Sequence, residues 1–527
     1  MSIPRWNPSP TCSKQEELLL SRQKKSRKLI AFLRLRRHEL FNDAFQTELE
    51  GMYRPSGAGK APVCPAVLAM ATLLQAYFGI SDAEAVELTI VDLRWQMVLD
   101  CLGSQTPAFS QGALADFRAR MIRTDMDKRL LERTVELARD TEGFDWSKLP
   151  KTLRVALDSC PLEGAGRVED TVNLLAHAGR KIVNCVAFLL KWTTDRVCRE
   201  AGIMLLTESS VKKALDYTWS DPADKAAAVS TLVGQLTSLE KWTRERLSSE
   251  MDKAPLQEHI ETLHQLIAQD IEPDPGKGGG VRVRAGVAPD RRVSVEDRDM
   301  RHGRKSKSKK FNGFKRHIAT DLDSGLILAV AITLANRPEE DAAADLDRGM
   351  HYLGREIGGL YIDRAYINAP LVVKVQAGGG TIVCRPWAGA NGKLYPKRAF
   401  SIDVEKQTIT CPAKQTAPIT FGTTVEFDPE VCDRCSQRDQ CTDASLGHGR
   451  TVAIAENELL QHRLRRLAST SDGRSELRER VAVEHSLAHV GRRQGTRARY
   501  IGARKNLFDV RRASTVTNLE TIQRKAA

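Results

Sequence analysis

The sequence predicts an α/β protein in which an all-helical unit precedes a mixed sheet, and three features carry that prediction. From Gln15 to about Asp140, apolar side chains recur at three-and-four spacing, the period of helices with one buried face. Short apolar runs then follow in the order strand, long helical stretch, two strands, helix, strand, strand. A polar, β-prone stretch with four cysteines comes next, before a last helical segment. At 527 residues the chain is long enough for roughly three or four domains. Hydrophobic residues at 41% and charged residues at 28%, with only 21 Pro and 36 Gly, exclude a disordered or fibrous chain. The surplus of 80 Lys and Arg over 67 Asp and Glu, a formal +13, gives a field that draws polyanions such as nucleic acid or an anionic membrane surface.

The first unit opens with EELLLSRQKKSRKLIAFLRLRRHELF. The uncharged run from Ala61 to Ser81 is cut by two prolines and Gly79, which leaves a helix over about Ala66 to Phe78, too short for a bilayer. The opening MSIPRWNPSPTCSK lacks the apolar core of a secretory signal, so a cytoplasmic location is expected and no membrane partner. Ser81 before Glu84 reads as a capping box, and Ser110 as the cap of a helix bearing Arg118, Arg120 and Arg123. Such arginine-edged helices suit a helix-turn-helix-like DNA reader and suit a plain bundle equally. LRVAL reads as a buried strand ending at Asp158, with Ser159, Cys160 and Pro161 as a turn. Residues 168–270 are helical, an apparent insertion, and EPDPGKGGGVRVRAGVAPD is a Gly/Pro-rich linker. HIATDLDSGLILAVAITLA is a hairpin about an Asp-Ser-Gly turn, GGLYIDRAY is a strand ending at Asp363, GGGTIVCRPW is another strand, and a helix runs from about Ser475 to Arg493.

Asp158 and Asp363 stand at strand ends, where open α/β sheets bind ligands. Glu484 lies on the late helix. A carboxylate buried there is costly unless it is paired or meets a cation. Three such acids can grip two hard cations about 3.5–4 Å apart for in-line attack on a phosphodiester. Plainer roles exist for each: a turn residue for Asp158, a helix cap for Asp363, a surface pair with Arg480 for Glu484. Asp321 and Asp323 are rivals, ranked lower because Asp forms turns.

Together these stretches resemble the DDE-type bacterial insertion-sequence transposases that couple a helical N-terminal domain to a ribonuclease-H-like catalytic domain. The matching segments are MYRPSGAGKAPVCPAVLAMATLLQAYFGISDAEAVE and FSQGALADFRARM, then LDSCPLEGAGRVEDTVNLL, MRHGRKSKSKKFNGFKRHIATDLDSGLI, YIDRAY, VCRPW and RERVAVEHSLAHVGRRQGTRARYIGARKNLFDVRRASTVTNL. The resemblance implies that Asp158, Asp363 and Glu484 bind two magnesium ions, with manganese able to substitute. It gives Arg480 the place of the base one helical turn before the glutamate. Gly491 stands where relatives often carry Lys, and Arg492 or Arg493 is expected to substitute, since arginine is a permanent planar phosphate donor.

The implied layout is a helical DNA-binding domain over 1–145, a ribonuclease-H-like domain begun at 146–167, a helical insertion with linker over 168–290, and catalytic domain again over 291–390. A cysteine-bearing β-prone insertion over 391–465 and catalytic helices with a basic tail over 466–527 complete it. The implied activity is cutting and joining element ends, with the terminal inverted repeats and target DNA as partners, a dimer in the synaptic complex, and a bacterial, nucleoid-associated location. The alternatives are a catalytically silent DNA-binding regulator derived from such an enzyme, or a stand-alone repair nuclease.

The window from Arg301 to Arg316 interleaves Phe311 and Phe314 among many bases, and Arg304, Lys305, Lys307, Lys309, Lys310 and Lys315 are expected on DNA phosphates rather than in a merely solvated loop. Tyr500 either stacks on a base or is buried. Cys411, Cys432, Cys435 and Cys441, spaced C-x20-C-x2-C-x5-C, are competent for a structural zinc site, with free thiols as the alternative.

Overall fold

A computed structural model describes residues 3–22, 28–54, 61–141, 144, 152–275, 280–306, 308–387 and 392–526. Eight helices between Lys14–Ser21 and Met126–Asp140 form the first unit among these residues. Their starts follow the caps in the sequence: Glu84 N donates to Ser81 Oγ at 3.2 Å while Ser81 N donates to the Glu84 carboxylate, and Ala113 N donates to Ser110 Oγ. The apolar Pro65–Phe78 helix begins on its proline and stops at Gly79, whose φ of 72° a side-chain-bearing residue rarely adopts. It is buried along most of its length. No single helix among the described residues is long and apolar enough to cross a membrane; this helix and Asp82–Val91 pass that test only as a pair bent by 104°.

The central sheet holds six strands: β1 (Leu153–Glu163), β2 (Arg301–Arg304), β3 (Lys310–Asp321), β4 (Ile327–Leu334), β5 (Ile357–Tyr361) and β6 (Thr381–Val383). β3 pairs antiparallel with β1 on one edge and with β2 and β4 on the other, while β5 and β6 continue beyond β1 in parallel. β1 does not stop at Asp158. It runs to Glu163, with Asp158 opposite Ile318 and Pro161 opposite Lys315, so the expected turn over Ser159, Cys160 and Pro161 is strand. Proline is tolerated there because β5 pairs only as far as Ala156, leaving that edge open until Glu163 meets the 496–498 segment.

The helical insertion, chiefly Thr171–Leu190, Pro222–Arg246 and Leu256–Asp270, closes its own apolar core around Leu175, Ile182, Leu232 and Leu263. Across the expected linker, Ile271–Pro273 pairs with Val281–Val283. The cysteine-bearing stretch forms a three-stranded and a two-stranded sheet with a separate core about Phe400, Ile409 and Phe427.

The N-terminal helices instead share one continuous core with the sheet. The joining element is Ala503–Lys525, which packs on Pro65–Phe78, Met126–Asp140 and β4. Arg504 and Arg511 reach the buried Asp127, Arg512 reaches Gln75, and Asn518 exchanges hydrogen bonds with the backbone of Ile327. The single late helix expected from the sequence is two, Ser471–Glu479 and Val481–Gln494, meeting at Arg480.

Candidate active site

β1 and β5 are parallel neighbours with Ala156 opposite Tyr361. Asp158 stands two residues beyond that last pair on β1, and Asp363 two residues beyond the end of β5. Asp363 caps the short helix Arg364–Tyr366, accepting from Ala365 N at 2.8 Å, so the cap role foreseen for it coexists with its place at the strand end. The Val481–Gln494 helix lies over β1 and β3, burying Val483, Leu487 and Val490 against Ala156, Ile318 and Tyr361. The adjoining stripe of that helix, Glu484, Ala488 and Gly491, with Arg480 one turn earlier, then faces the acids.

The three predicted acids line one cavity of about 840 Å³ together with Arg480 and Arg492. Arg480 donates to Glu484 at 2.6 Å and stands 3.4 Å from Asp158. The foreseen Arg480–Glu484 pair is therefore present, with Arg480 also reaching Asp158. Asp158 is 15% exposed; burial pushes its carboxyl up, Arg480 opposes that, and Asp363 and Glu484 add to it. Glu484 is 50% exposed. Among the described residues no three Asp, Glu, His or Cys are drawn together as a metal would hold them, and Arg480 stands between Asp158 and Glu484. Their oxygen donors and mutual repulsion nonetheless suit a hard cation.

Of the expected DNA contacts, Arg304, Lys305, Lys315 and Arg492 line this cavity. Lys310 lines an adjoining cleft with Arg497, and Lys307 lies outside the described residues. Lys309 lines neither of these; its backbone closes the loop between β2 and β3. Arg493 turns away from the acids, paired with Glu520 and stacked over Tyr77. Arg118 is committed to Asp82 and to the Tyr500 ring, and Arg120 lies over Tyr53. Tyr500, partly buried, packs edge-on against Phe508. Asp321 accepts from the Ser324 backbone and hydroxyl, the turn role argued for it, and Asp323 pairs with Arg154.

Two residues at the cavity were missed. Arg316 on β3 is buried, held by Cys160 Sγ, Gln494 and the carbonyl of Gly495, and a Cβ at Gly491 would sit 3.3 Å from its guanidinium. The glycine thus leaves room for a cation delivered from the sheet. Glu339 begins the short helix after β4 and faces the same cavity. Nothing local marked Glu339, since only the fold carries it to the acids. A larger cavity, about 1240 Å³, is lined by Arg364 and Glu458, and Glu458 is engaged by Lys397 and Arg465.

Cys411, Cys432, Cys435 and Cys441 line one small cavity, and burial and the other three thiols push Cys441 up, Arg450 opposing. None of the four is in a disulfide.

The family described as Transposase DDE domain matches residues 284–519, and the family Transposase domain (DUF772) matches residues 21–120. The comparisons with curated proteins and with solved structures each return no match. An α/β sheet carrying acids in a cation-lined cleft and these two matches define an enzyme of the nuclease and strand-transferase class that acts on DNA. The chain belongs to the DDE transposases, a family that needs divalent metal ions.

Proposed function

We propose that this transposase cuts and joins the ends of an insertion sequence at the cavity holding Asp158, Asp363 and Glu484. The observation that carries the reading is the one cavity that Asp158, Asp363 and Glu484 line together, with Glu484 tied to Asp158 through Arg480. The strand order β4-β3-β1-β5-β6, antiparallel from β4 to β1 and parallel from β1 to β6, with β2 added beside β3, supports a ribonuclease-H-like catalytic domain. The domain boundaries foreseen in the sequence fit the separate cores of the two insertions. The three carboxylates would hold two magnesium ions, or manganese, which when bound activate the attacking hydroxyl and stabilise the leaving oxygen.

The protein's own contribution is positioning. Asp158 is fixed by the pairing of β1 with β3, and Asp363 by the short helix it caps. Arg480 holds Glu484 beside them and limits their repulsion while no cation is present. Arg304, Lys305, Lys315 and Arg492 would grip phosphates along the cavity rim, and Arg316 would add a fixed positive charge above Gly491. The four cysteines would hold a structural zinc that braces the insertion and takes no part in the chemistry, a reading supported by the one cavity they share. Joining two ends calls for at least a dimer in the synaptic complex, acting on terminal inverted repeats and target DNA at the nucleoid.

The test is strand cleavage on a duplex bearing the inverted repeats that flank the gene. Asp158→Ala and Asp363→Ala abolish magnesium-dependent cutting and leave DNA binding nearly intact. A native protein that binds this duplex and never cuts it is a silent regulator; one that cuts with no dependence on the repeats is a repair nuclease.

A further inference from the structure

We propose that the cavity of about 1240 Å³ is a nucleotide site, taking an unstacked base on Trp387 and its phosphate on Arg364 and Arg398. The inference goes beyond the acid-lined cavity and does not depend on it. One wall is catalytic, made by the turn after Asp363 and the Pro370–Ala377 helix; the other belongs to the cysteine-bearing stretch and the Glu458–Ser469 helix that follows it. The two walls are tied together. Asn457 Nδ2 donates to Asn368 Oδ1 at 3.1 Å, and Trp387 N donates to Gln461 Oε1 at 3.1 Å. Lys397 donates to the carbonyl of Ala453 at 2.7 Å and to the buried Glu458. The cavity is therefore shaped before any ligand arrives, as binding sites usually are.

Three of its groups have work left undone. Gln461 is 1% exposed, and its Nε2 has no hydrogen-bond partner, so a buried donor waits for an acceptor at a cost in stability. Trp387 is 40% exposed beside the exposed Val373 and Leu459, and its ring meets no other ring or cation among the described residues. Arg364 and Arg398 form no ion pair or hydrogen bond among the described residues, whereas Lys397 and Arg465 on the same wall are taken up by Glu458. Glu456 is the acid left there against those two guanidiniums. A nucleotide meets all three needs at once. Its phosphate suits planar guanidiniums, its ring suits an indole face, and a ring nitrogen or carbonyl oxygen accepts from the amide. Two sources share this chemistry, a free nucleotide and an unpaired nucleotide of a DNA strand. Arg364 directly follows Asp363, so a strand leaving the acids has a short path to the cavity.

The test is calorimetric titration of the full chain with deoxyadenosine monophosphate, with indole fluorescence followed in parallel. The native protein binds it and loses part of its fluorescence. Trp387→Ala weakens binding about tenfold, while Trp387→Phe keeps most of the affinity and abolishes the quenching. Gln461→Glu keeps the acceptor for Trp387 N, reverses the free donor, and weakens binding about tenfold, as does Arg364→Gln with Arg398→Gln. Deoxyribose 5-phosphate, which has no base, binds about tenfold more weakly than the nucleotide. Asp158→Asn binds the nucleotide as the native protein does, so failure of the acid site leaves this result standing. A duplex with a short unpaired tail that displaces the nucleotide, where a blunt duplex does not, assigns the site to a DNA strand; displacement by neither assigns it to free nucleotide. Absence of binding, or native affinity in both Trp387→Ala and Gln461→Glu, overturns the inference. Equal binding of deoxyribose 5-phosphate, equal displacement by the blunt duplex, or displacement by poly-glutamate overturns it too, since each marks a surface that reads charge alone.

Discussion

Replacing Arg304, Lys305 and Arg492 together by Gln should flatten the salt dependence of DNA binding by an amount the structure sets. Six cations line the acidic cavity, but they are not equally available. Arg480 is taken up by Asp158 and Glu484, Arg316 by Cys160, Gln494 and Gly495, and Lys315 by the Arg337 carbonyl. Arg304, Lys305 and Arg492 form no ion pair among the described residues, which leaves them for phosphates. Each phosphate contact contributes a slope of about 0.9 in log K against log salt, so losing three lowers the slope by about 2.7. Between about 50 and 200 mM potassium chloride, the native protein should then lose about 40-fold more affinity than the triple variant. Fluorescence anisotropy with a labelled inverted-repeat duplex reads this directly. Arg480→Gln is the contrast, since its charge is already engaged, and its slope stays near native. A triple variant whose slope falls by less than one unit, or an Arg480→Gln slope that falls as far, would refute the division between engaged and available cations.

Three further outcomes follow from other parts of the molecule. Arg34, wholly buried, donates to Glu16 and holds its carboxyl down to about 2 from the usual 4.5. A depressed folded value stabilises above the unfolded one and is lost as pH falls toward about 2, so the native protein should exceed Glu16→Gln by up to about 3 kcal/mol in urea unfolding at pH 7 and lose that margin near pH 2; an equal margin at both pH values contradicts it. Asp127→Ala strips the buried acid from Arg504 and Arg511, leaving them Asp125 alone, and should cost about 3 kcal/mol in unfolding free energy; a loss below 1 kcal/mol would show the join to be held by apolar packing. Purified protein should carry one zinc per chain by atomic absorption, with Cys435→Ser losing it and keeping cleavage at low temperature; full zinc content in that variant removes the thiol from the site.

Much of this architecture was legible because local signals agreed with the tertiary ones. Ser81 with Glu84, Ser110, Pro65 and Gly79 mark helix ends by chemistry that needs only neighbours in the chain. The β3–β4 hairpin shows in its Asp-Ser-Gly turn, and the two aspartates show as acids ending apolar runs. What escaped was set by distant partners. β1 outlasts its apolar run because β3 pairs it to Glu163, and Pro161 is permitted only because the neighbouring edge is open there. Arg493 and Arg492 are adjacent and alike in sequence, yet helical rotation sends one to Glu520 and the other to the acids. Arg118 looks like a DNA contact until Asp82 and Tyr500 close on it. Glu339 and Arg316 join the site through pairing with strands far away in the chain.

Anomalous diffraction from crystals of the inverted-repeat complex soaked in manganese tests the active-site assignment most directly. Two peaks within coordination distance of Asp158 and Asp363, one of them also met by Glu484 after it leaves Arg480, are the expected result. Peaks elsewhere on the protein, with Glu484 still bound to Arg480 and no density between the aspartates, would contradict it.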